Sequence, residues 1–242
     1  MLLDFVTAGF MRILIIIIVF AGVPFTEISA HRDDFIDETI VYLTLEQEEL
    51  ELEYWFDYGS ESAANFINNN FASEFGITNH WMIDGRITYH SPRVSGFNFQ
   101  SGRFETRYRF YDEGEEPVDI ALSAEVNSEK SLTGESESGV EGRLILSKDF
   151  EEKLNLTLNL AEETLFKSGN TSFNPSFGLR YDANSLFRFG SEFKYKTGDK
   201  WGAVIPQVWI TIEKAITIKL GYSEGFDRNP VNFGRLAFEA EL

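Results

Sequence analysis

Hydrophobic and polar residues alternate along most of the chain with the period of two that is typical of β-strands. In ELELEYWFDYG, residues 49–59, leucine and aromatic residues occupy the even positions, and mostly acidic residues occupy the odd positions. Because neighbouring side chains of a strand point to opposite faces, this segment has one apolar face and one charged face.

Twelve segments of about ten residues repeat this pattern. Their apolar faces begin at Leu50, Ile67, Trp81, Phe104, Val118, Val140, Leu154, Phe177, Phe187, Val204, Ile216 and Leu236. An even number of such segments is typical of an antiparallel up-and-down β-barrel that crosses a membrane. We therefore expect an all-β transmembrane barrel of about 12 strands, with ten and fourteen as alternatives. Pro206 lacks an N–H and predicts an irregularity in the tenth strand.

The connections between the segments alternate between two kinds. One set, which includes HSPRVSG and NSEKSLTGESES, is generally longer and rich in Ser, Gly and Thr; the other, which includes DANS and EKA, is short. Transmembrane barrels have short turns at one end and longer loops at the other.

Residues Met11–Ala30 resemble a secretory signal peptide, with Arg12 before the apolar run Ile13–Val23 and a possible cleavage after Ala30. A retained membrane anchor is the alternative. We predict a signal peptide over 1–30, an N-terminal segment over 31–47 and a barrel over 48–242. The apolar stretch Ile40–Leu45 could lengthen the first strand, form a plug or form a periplasmic segment.

Alternation alone does not tell which face points inward. Twelve strands enclose a wide interior that is hard to fill with apolar side chains, and aromatic residues lie near the ends of several apolar faces, as in the interfacial girdles of membrane barrels. These features, with the signal peptide, predict that the apolar face meets lipid. The alternative is a secreted β-sandwich or lipocalin-like barrel.

The net charge of −18 argues against a nucleic-acid partner, and the absence of Cys excludes disulfides and thiolate metal sites. We expect no cofactor, and we expect outer-membrane lipid and an unidentified small solute as partners. The oligomeric state stays open.

The candidate functional residues are the charges on the polar faces, which would line the lumen of the barrel. One interpretation is a pore whose field selects solutes; the other is a salt-bridge network that fills the interior. Mixed signs on single strands favour the network. The candidates are Glu51, Glu53, Asp84, Arg86, Arg103, Glu105, Arg107, Arg109, Arg143, Arg180, Arg188, Glu192, Lys194, Arg235 and Glu239.

Catalysis by a nucleophile and a base has little support, and we expect no catalytic residue. The three histidines are His31, His80 and His90. His90 precedes Ser91 on a strand, so the two side chains point to opposite faces and form a poor pair.

The stretch EFGITNHWMIDGRI, Glu74–Ile87, resembles a hairpin of small outer-membrane barrels, in particular the transporter-like barrels of the phenol-degradation MetA-pathway type. The matching residues are Phe75, Gly76, Ile77, Thr78 and Asn79, followed by Trp81. The resemblance implies an outer-membrane location and passage of small or hydrophobic molecules. It carries over no binding residue.

The sequence thus predicts a bacterial outer-membrane barrel that passes small solutes. A structural or adhesive barrel with a filled lumen is the first alternative, and a lipid-modifying enzyme is the second.

Overall fold

A computed structural model describes residues 34–37, 39–61, 64–92, 98–130, 135–151, 153–212, 216–227 and 230–242. The predicted signal peptide, residues 1–30, lies outside these ranges, as does His31. Over the described ranges, no helix has the length and apolar character needed to cross a bilayer.

Twelve antiparallel strands form one closed barrel, in which each strand pairs with its neighbours in the sequence and the last pairs with the first. This confirms the predicted all-β barrel. The strands are β1 (Leu50–Glu61), β2 (Ala64–Thr78), β3 (Trp81–Pro92), β4 (Asn98–Arg109), β5 (Asp119–Lys130), β6 (Ser136–Phe150), β7 (Leu154–Leu165), β8 (Thr171–Asp182), β9 (Phe187–Lys196), β10 (Trp201–Ile212), β11 (Ile216–Asp227) and β12 (Val231–Glu241).

The barrel closes through the seam between β1 and β12. Glu51 lies opposite Glu241 and Asp57 lies opposite Arg235 in this register. The backbone N–H of Leu242 donates to the carbonyl of Leu50 at 2.8 Å, which extends the seam past the end of β12.

Exposure shows which face points inward. Arg107 and Glu192 are 2% and 0% exposed, whereas Phe104 and Phe189 are 54% and 51% exposed. Burial of charged side chains and exposure of aromatic ones is the reverse of a soluble barrel. The apolar face is therefore the lipid-facing surface of a transmembrane barrel, and the sandwich or lipocalin-like alternative is wrong.

Aromatic residues lie near both ends of the apolar surface, as expected for interfacial girdles. At the end that carries the β2–β3 turn, Trp81 lies opposite Tyr108, and its indole N–H donates to Thr106 Oγ1 at 2.6 Å. At the other end, the rings of Phe193 and Phe226 stack with centroids 5.9 Å apart.

The predicted contrast between long and short connections is only partly correct. The strands extend into the loops, so that only residues 62–63 separate β1 from β2, and the longest connection, residues 110–118, belongs to the set expected to be short. The irregularity predicted at Pro206 is present. Paired residues of β10 and β11 occur at Val204 and Gln207, with an interruption between them.

Candidate functional site: a lumen occupied by an N-terminal segment

Residues 34–37 and 39–45, which we call the plug, lie inside the barrel. Phe35 and Ile40 are 4% exposed, and Leu45 is fully buried. Side chains from the inward faces of β4, β7, β9, β10, β11 and β12 contact the plug. Of the three placements expected for Ile40–Leu45, the structure has the plug.

Two aspartates of the plug pair with cations of the barrel wall. The carboxylate of Asp34 accepts hydrogen bonds from both terminal nitrogens of Arg107, at 3.2 and 2.8 Å. Asp37 pairs with Lys194 and with Arg235, whose Nη1 lies 3.1 Å from Asp37 Oδ1. Charge-assisted hydrogen bonds of this kind are about twice as strong as neutral ones.

The wall also donates to the carbonyls of the plug, whose described residues pair with no strand. Arg107 Nη1 donates to Val41 and Leu43, at 3.2 and 3.1 Å. Lys219 Nζ donates to the carbonyl of Asp34 at 2.7 Å. A buried, irregular segment must find partners for its backbone groups, and wall side chains supply them.

The backbone N–H groups of the plug find acceptors on the same wall. The N–H of Ile36 donates to Gln207 Oε1 at 2.8 Å, and that of Thr39 donates to Glu192 Oε1 at 2.7 Å. Asn159 accepts from the N–H of Ile40 and donates to its carbonyl, both at 2.9 Å.

The wall has a recess for Phe35. The ring packs edge-on against Trp209, with centroids 5.8 Å apart. On β8, a Cβ added to Gly178 would lie 2.4 Å from the ring, far inside van der Waals contact. Glycine is therefore required here by the close approach of the plug, and Ala121 and Ile145 complete the buried cluster.

The plug leaves the barrel at the β2–β3 turn. Thr44 Oγ1 donates to the carbonyl of Asn79 at 2.9 Å, and the N–H of Gln47 donates to Asn79 Oδ1 at 3.0 Å. The N–H of Glu48 donates to the carbonyl of Gly76. Burial at this rim raises the pKa of the Glu49 carboxyl above its ordinary value, and the nearby Glu46 carboxylate raises it too.

All fifteen candidate lumen residues lie on the inward face of their strands, as the strand registers and burial show. Ten are buried: Glu51, Glu53, Asp84, Glu105, Arg107, Arg143, Arg180, Glu192, Lys194 and Glu239. The other five are partly buried: Arg86, Arg103, Arg109, Arg188 and Arg235.

Many of these charges pair along one strand. Arg86 Nε lies 2.7 Å from Asp84 Oδ2, Arg107 Nε lies 3.3 Å from Glu105 Oε1, and Arg180 Nε lies 3.3 Å from Asp182 Oδ1. The network expected from the mixed signs is present and contributes to filling the interior.

The seam concentrates acids. Carboxylate oxygens of Glu51, Glu53 and Glu239 lie within 4.8 Å of one another, because the register places Glu53 opposite Glu239. Lys219 forms an ion pair with Glu239. We assign no metal site to this cluster, since the strand register explains it.

Open space in the lumen is unequal. A cavity of about 460 Å³ lies at the end with the β3–β4, β5–β6 and β7–β8 connections, and six glutamates, including Glu125 and Glu163, contribute to its lining. Beside the plug, near Asp34 and Glu53, the cavity volume is about 20 Å³. This smaller volume is about the space that one water molecule needs.

Sequence reasoning treated the inward face as polar and missed its apolar part. Ile145, Ile205 and Trp209 face inward and are fully buried. A signal existed in the runs LIL, residues 144–146, and VWI, residues 208–210, where three consecutive apolar residues make both faces apolar. Such a run in a barrel that otherwise alternates indicates an interior apolar partner.

The described histidines have structural contacts. His90 Nδ1 lies 2.8 Å from Asn68 Oδ1, and its ring stacks on Phe66. His80 lies at the β2–β3 turn, where Nδ1 is 3.3 Å from the carbonyl of Arg109.

No protein-family model matches this chain, and no curated protein matches it. Solved structures do resemble it. The KdgM porin has a TM-score of 0.58 at 12% identity, over 78% of this chain and 98% of the porin. The NanC porin has a TM-score of 0.58 at 16% identity, over 79% and 100%. The COG4313 outer membrane channel from Pseudomonas putida F1 has a TM-score of 0.56 at 11% identity, over 87% and 99%. The chain therefore has the barrel fold that these porins and this channel share.

Proposed function

We propose that this chain is a channel of the bacterial outer membrane for small solutes, and that the plug closes its pathway in this structure. The observation that carries the proposal is a closed barrel with lipid-facing apolar residues, whose charged lumen holds the plug through side chains of the wall. The structural neighbours named as porins and as an outer membrane channel support it.

The cavities define where the pathway is closed. The cavity of about 460 Å³ at the end with the β5–β6 connection is large enough for a small organic solute. Beside the plug, the cavity of about 20 Å³ near Asp34 and Glu53 is far too small for one. Passage therefore requires the plug to move, and the fifteen candidate lumen residues would then line the pathway.

The finer identity of the solute follows from the resemblance at Glu74–Ile87, which favours the MetA-pathway type of barrel and small or hydrophobic molecules. In the structure this stretch forms the β2–β3 hairpin, and the plug leaves the barrel against its turn at Asn79.

A second candidate function is a structural or adhesive barrel that conducts nothing, and the filled lumen favours it. Planar-bilayer recordings separate the two. We expect small, intermittent conductance steps from the wild-type barrel and larger steps when the plug is loosened. If neither the wild type nor any plug variant conducts, the channel proposal is wrong and the filled barrel is favoured.

An outer-membrane lipid hydrolase is the third alternative. Lipid-hydrolysis assays on the wild type and on His90→Ala test it, and activity that disappears in His90→Ala would favour an enzyme.

A further inference from the structure

The terminal nitrogens of Arg107, Lys194 and Arg235 hold the carboxylates of Asp34 and Asp37 in the plug. We propose that these cations form a carboxylate-binding site of the channel, in which Asp34 and Asp37 occupy the place of a solute's carboxylates. The inference rests on the proposed function, because it names the class of solute that would pass.

Each arginine divides its donors between wall and plug. Arg107 directs Nε to Glu105 on its own strand and directs Nη1 and Nη2 to Asp34. Arg235 directs Nε and Nη2 to Asp57, at 2.6 and 3.0 Å, and directs Nη1 to Asp37. The wall acids thus hold and orient the guanidinium groups, while donors remain for the occupant of the lumen.

Lys194 is positioned by an aromatic ring. Its Nζ lies 4.5 Å from the centroid of the Trp201 ring, and the ammonium pairs with Asp37. A cation that is buried to 5% exposure and held in this way is costly to leave without an anion.

Departure of the plug would remove the Asp34, Val41 and Leu43 acceptors of Arg107 together. Unpaired donors in a buried site cost more free energy than paired ones. A planar carboxylate fits the fork of a guanidinium group, so a solute carboxylate can replace Asp34 at Arg107. Once the plug has moved, the site therefore favours a carboxylate-bearing solute over an empty lumen.

A neighbouring acid refines the solute class. Glu192 accepts hydrogen bonds from the backbone N–H groups of Asp37 and Thr39 and from Thr39 Oγ1. A solute with a donor next to its carboxylate satisfies this acceptor as well. Hydroxy-carboxylates are thus preferred over simple carboxylates.

The first experiment measures binding of malate to the full-length, detergent-folded protein by calorimetry at constant ionic strength. In Asp34→Asn/Asp37→Asn we expect malate to bind at least about tenfold more tightly than in the wild type. The tethered aspartates of the wild type compete at an effective concentration of about millimolar or more. Succinate, which lacks the hydroxyl group, binds more weakly than malate.

Matched charge variants locate the site. Adding Lys194→Gln to the double variant should remove most of the gain in malate affinity. Adding Lys153→Gln, which removes the same charge at the exposed β6–β7 turn, should leave the gain intact. Heat-modifiable gel migration confirms that each variant is folded.

A second measurement needs no change to the plug's charges. The chain has no Cys, so Val41→Cys places one thiol at a position that is 2% exposed inside the barrel. Malate should accelerate labelling of this thiol by a maleimide several-fold, and sodium chloride of equal ionic strength should not. Malate-dependent labelling of Val41→Cys also tests the carboxylate site if the double variant does not fold.

The outcomes separate the site from the channel. Absence of malate binding to the double variant, or of malate-dependent labelling where that variant does not fold, would overturn the carboxylate site, and conductance would still support the channel. Malate binding without conductance in any variant would support the site and exclude the channel.

Discussion

Gly178→Ala is expected to displace the plug without changing any charge. The added Cβ would lie 2.4, 2.5 and 2.7 Å from three atoms of the Phe35 ring, about 1 Å closer than ordinary carbon contact. Either the ring or the strand must move. The ring belongs to a segment that no strand pairing holds, so the plug should move first.

The size of the effect follows from the overlap. Overpacking a well-filled core costs about 1–3 kcal/mol. If this cost applies only while the plug is seated, the fraction of molecules with a displaced plug rises about 5–150-fold. Labelling of Val41→Cys reports this fraction, because labelling tracks the open population when reclosing is faster than the reaction. Channel conductance should increase in parallel.

Gly142→Ala is the matched control, since a Cβ at Gly142 meets nothing within 4 Å. It carries the same change of backbone entropy on a neighbouring part of the sheet. A second control, Phe35→Leu in the Gly178→Ala background, gives the added methyl group room and should return labelling toward the wild-type rate. If Gly178→Ala is labelled no faster than Gly142→Ala, the seating of Phe35 against β8 does not hold the plug.

Three further changes probe the wall, the seam and the lipid face. Arg107→Gln leaves the Asp34 carboxylate without its main partner, and breaking a buried ion pair in this way costs about 3–5 kcal/mol. The thiol of Val41→Cys should therefore be labelled at least about a hundredfold faster. An unchanged labelling rate would contradict the role of this pair. Glu53→Gln relieves repulsion from Glu239 across the seam and should raise the free energy of unfolding by about 0.2–1 kcal/mol in urea titrations. A lower free energy of unfolding would instead mean that the carboxylates are needed in their charged form. Phe104→Arg places a charge on the lipid face and should lower the free energy of unfolding in vesicles by about 2–4 kcal/mol if the residue lies near the bilayer midplane. The control Phe104→Leu should change this free energy little.

The barrel could be predicted from the sequence because a period of two is imposed residue by residue. Alternation in β1, β4, β7 and β9 assigns each side chain to one of two faces, and an even number of strands allows closure. The ends of the strands could not be predicted in the same way. Polar residues such as those of GSESAA are compatible with a loop and with a strand that extends beyond the bilayer, and pairing with the neighbouring strand decides between them.

The occupied lumen was predictable only in part. The sequence allowed Ile40–Leu45 to be a plug, but the wall residues that place it there lie 64 and more positions away, as for Leu43 with Arg107 and Asp34 with Lys219. No local pattern encodes such contacts. Gly178 also gave no signal, because the reason for a glycine at this position is a ring from a distant segment.

Arg235 contacts Asp57 across the seam and Asp37 and Ile36 in the plug. It lies on the last strand to be synthesised, whereas its three partners belong to the first quarter of the chain. Ring closure during assembly and capture of the N-terminal segment therefore depend on the same side chain. A nascent barrel in which β12 has not yet paired with β1 would lack one of the contacts that hold Ile36 and Asp37 in the lumen. Insertion of the plug should therefore be completed together with pairing of β12.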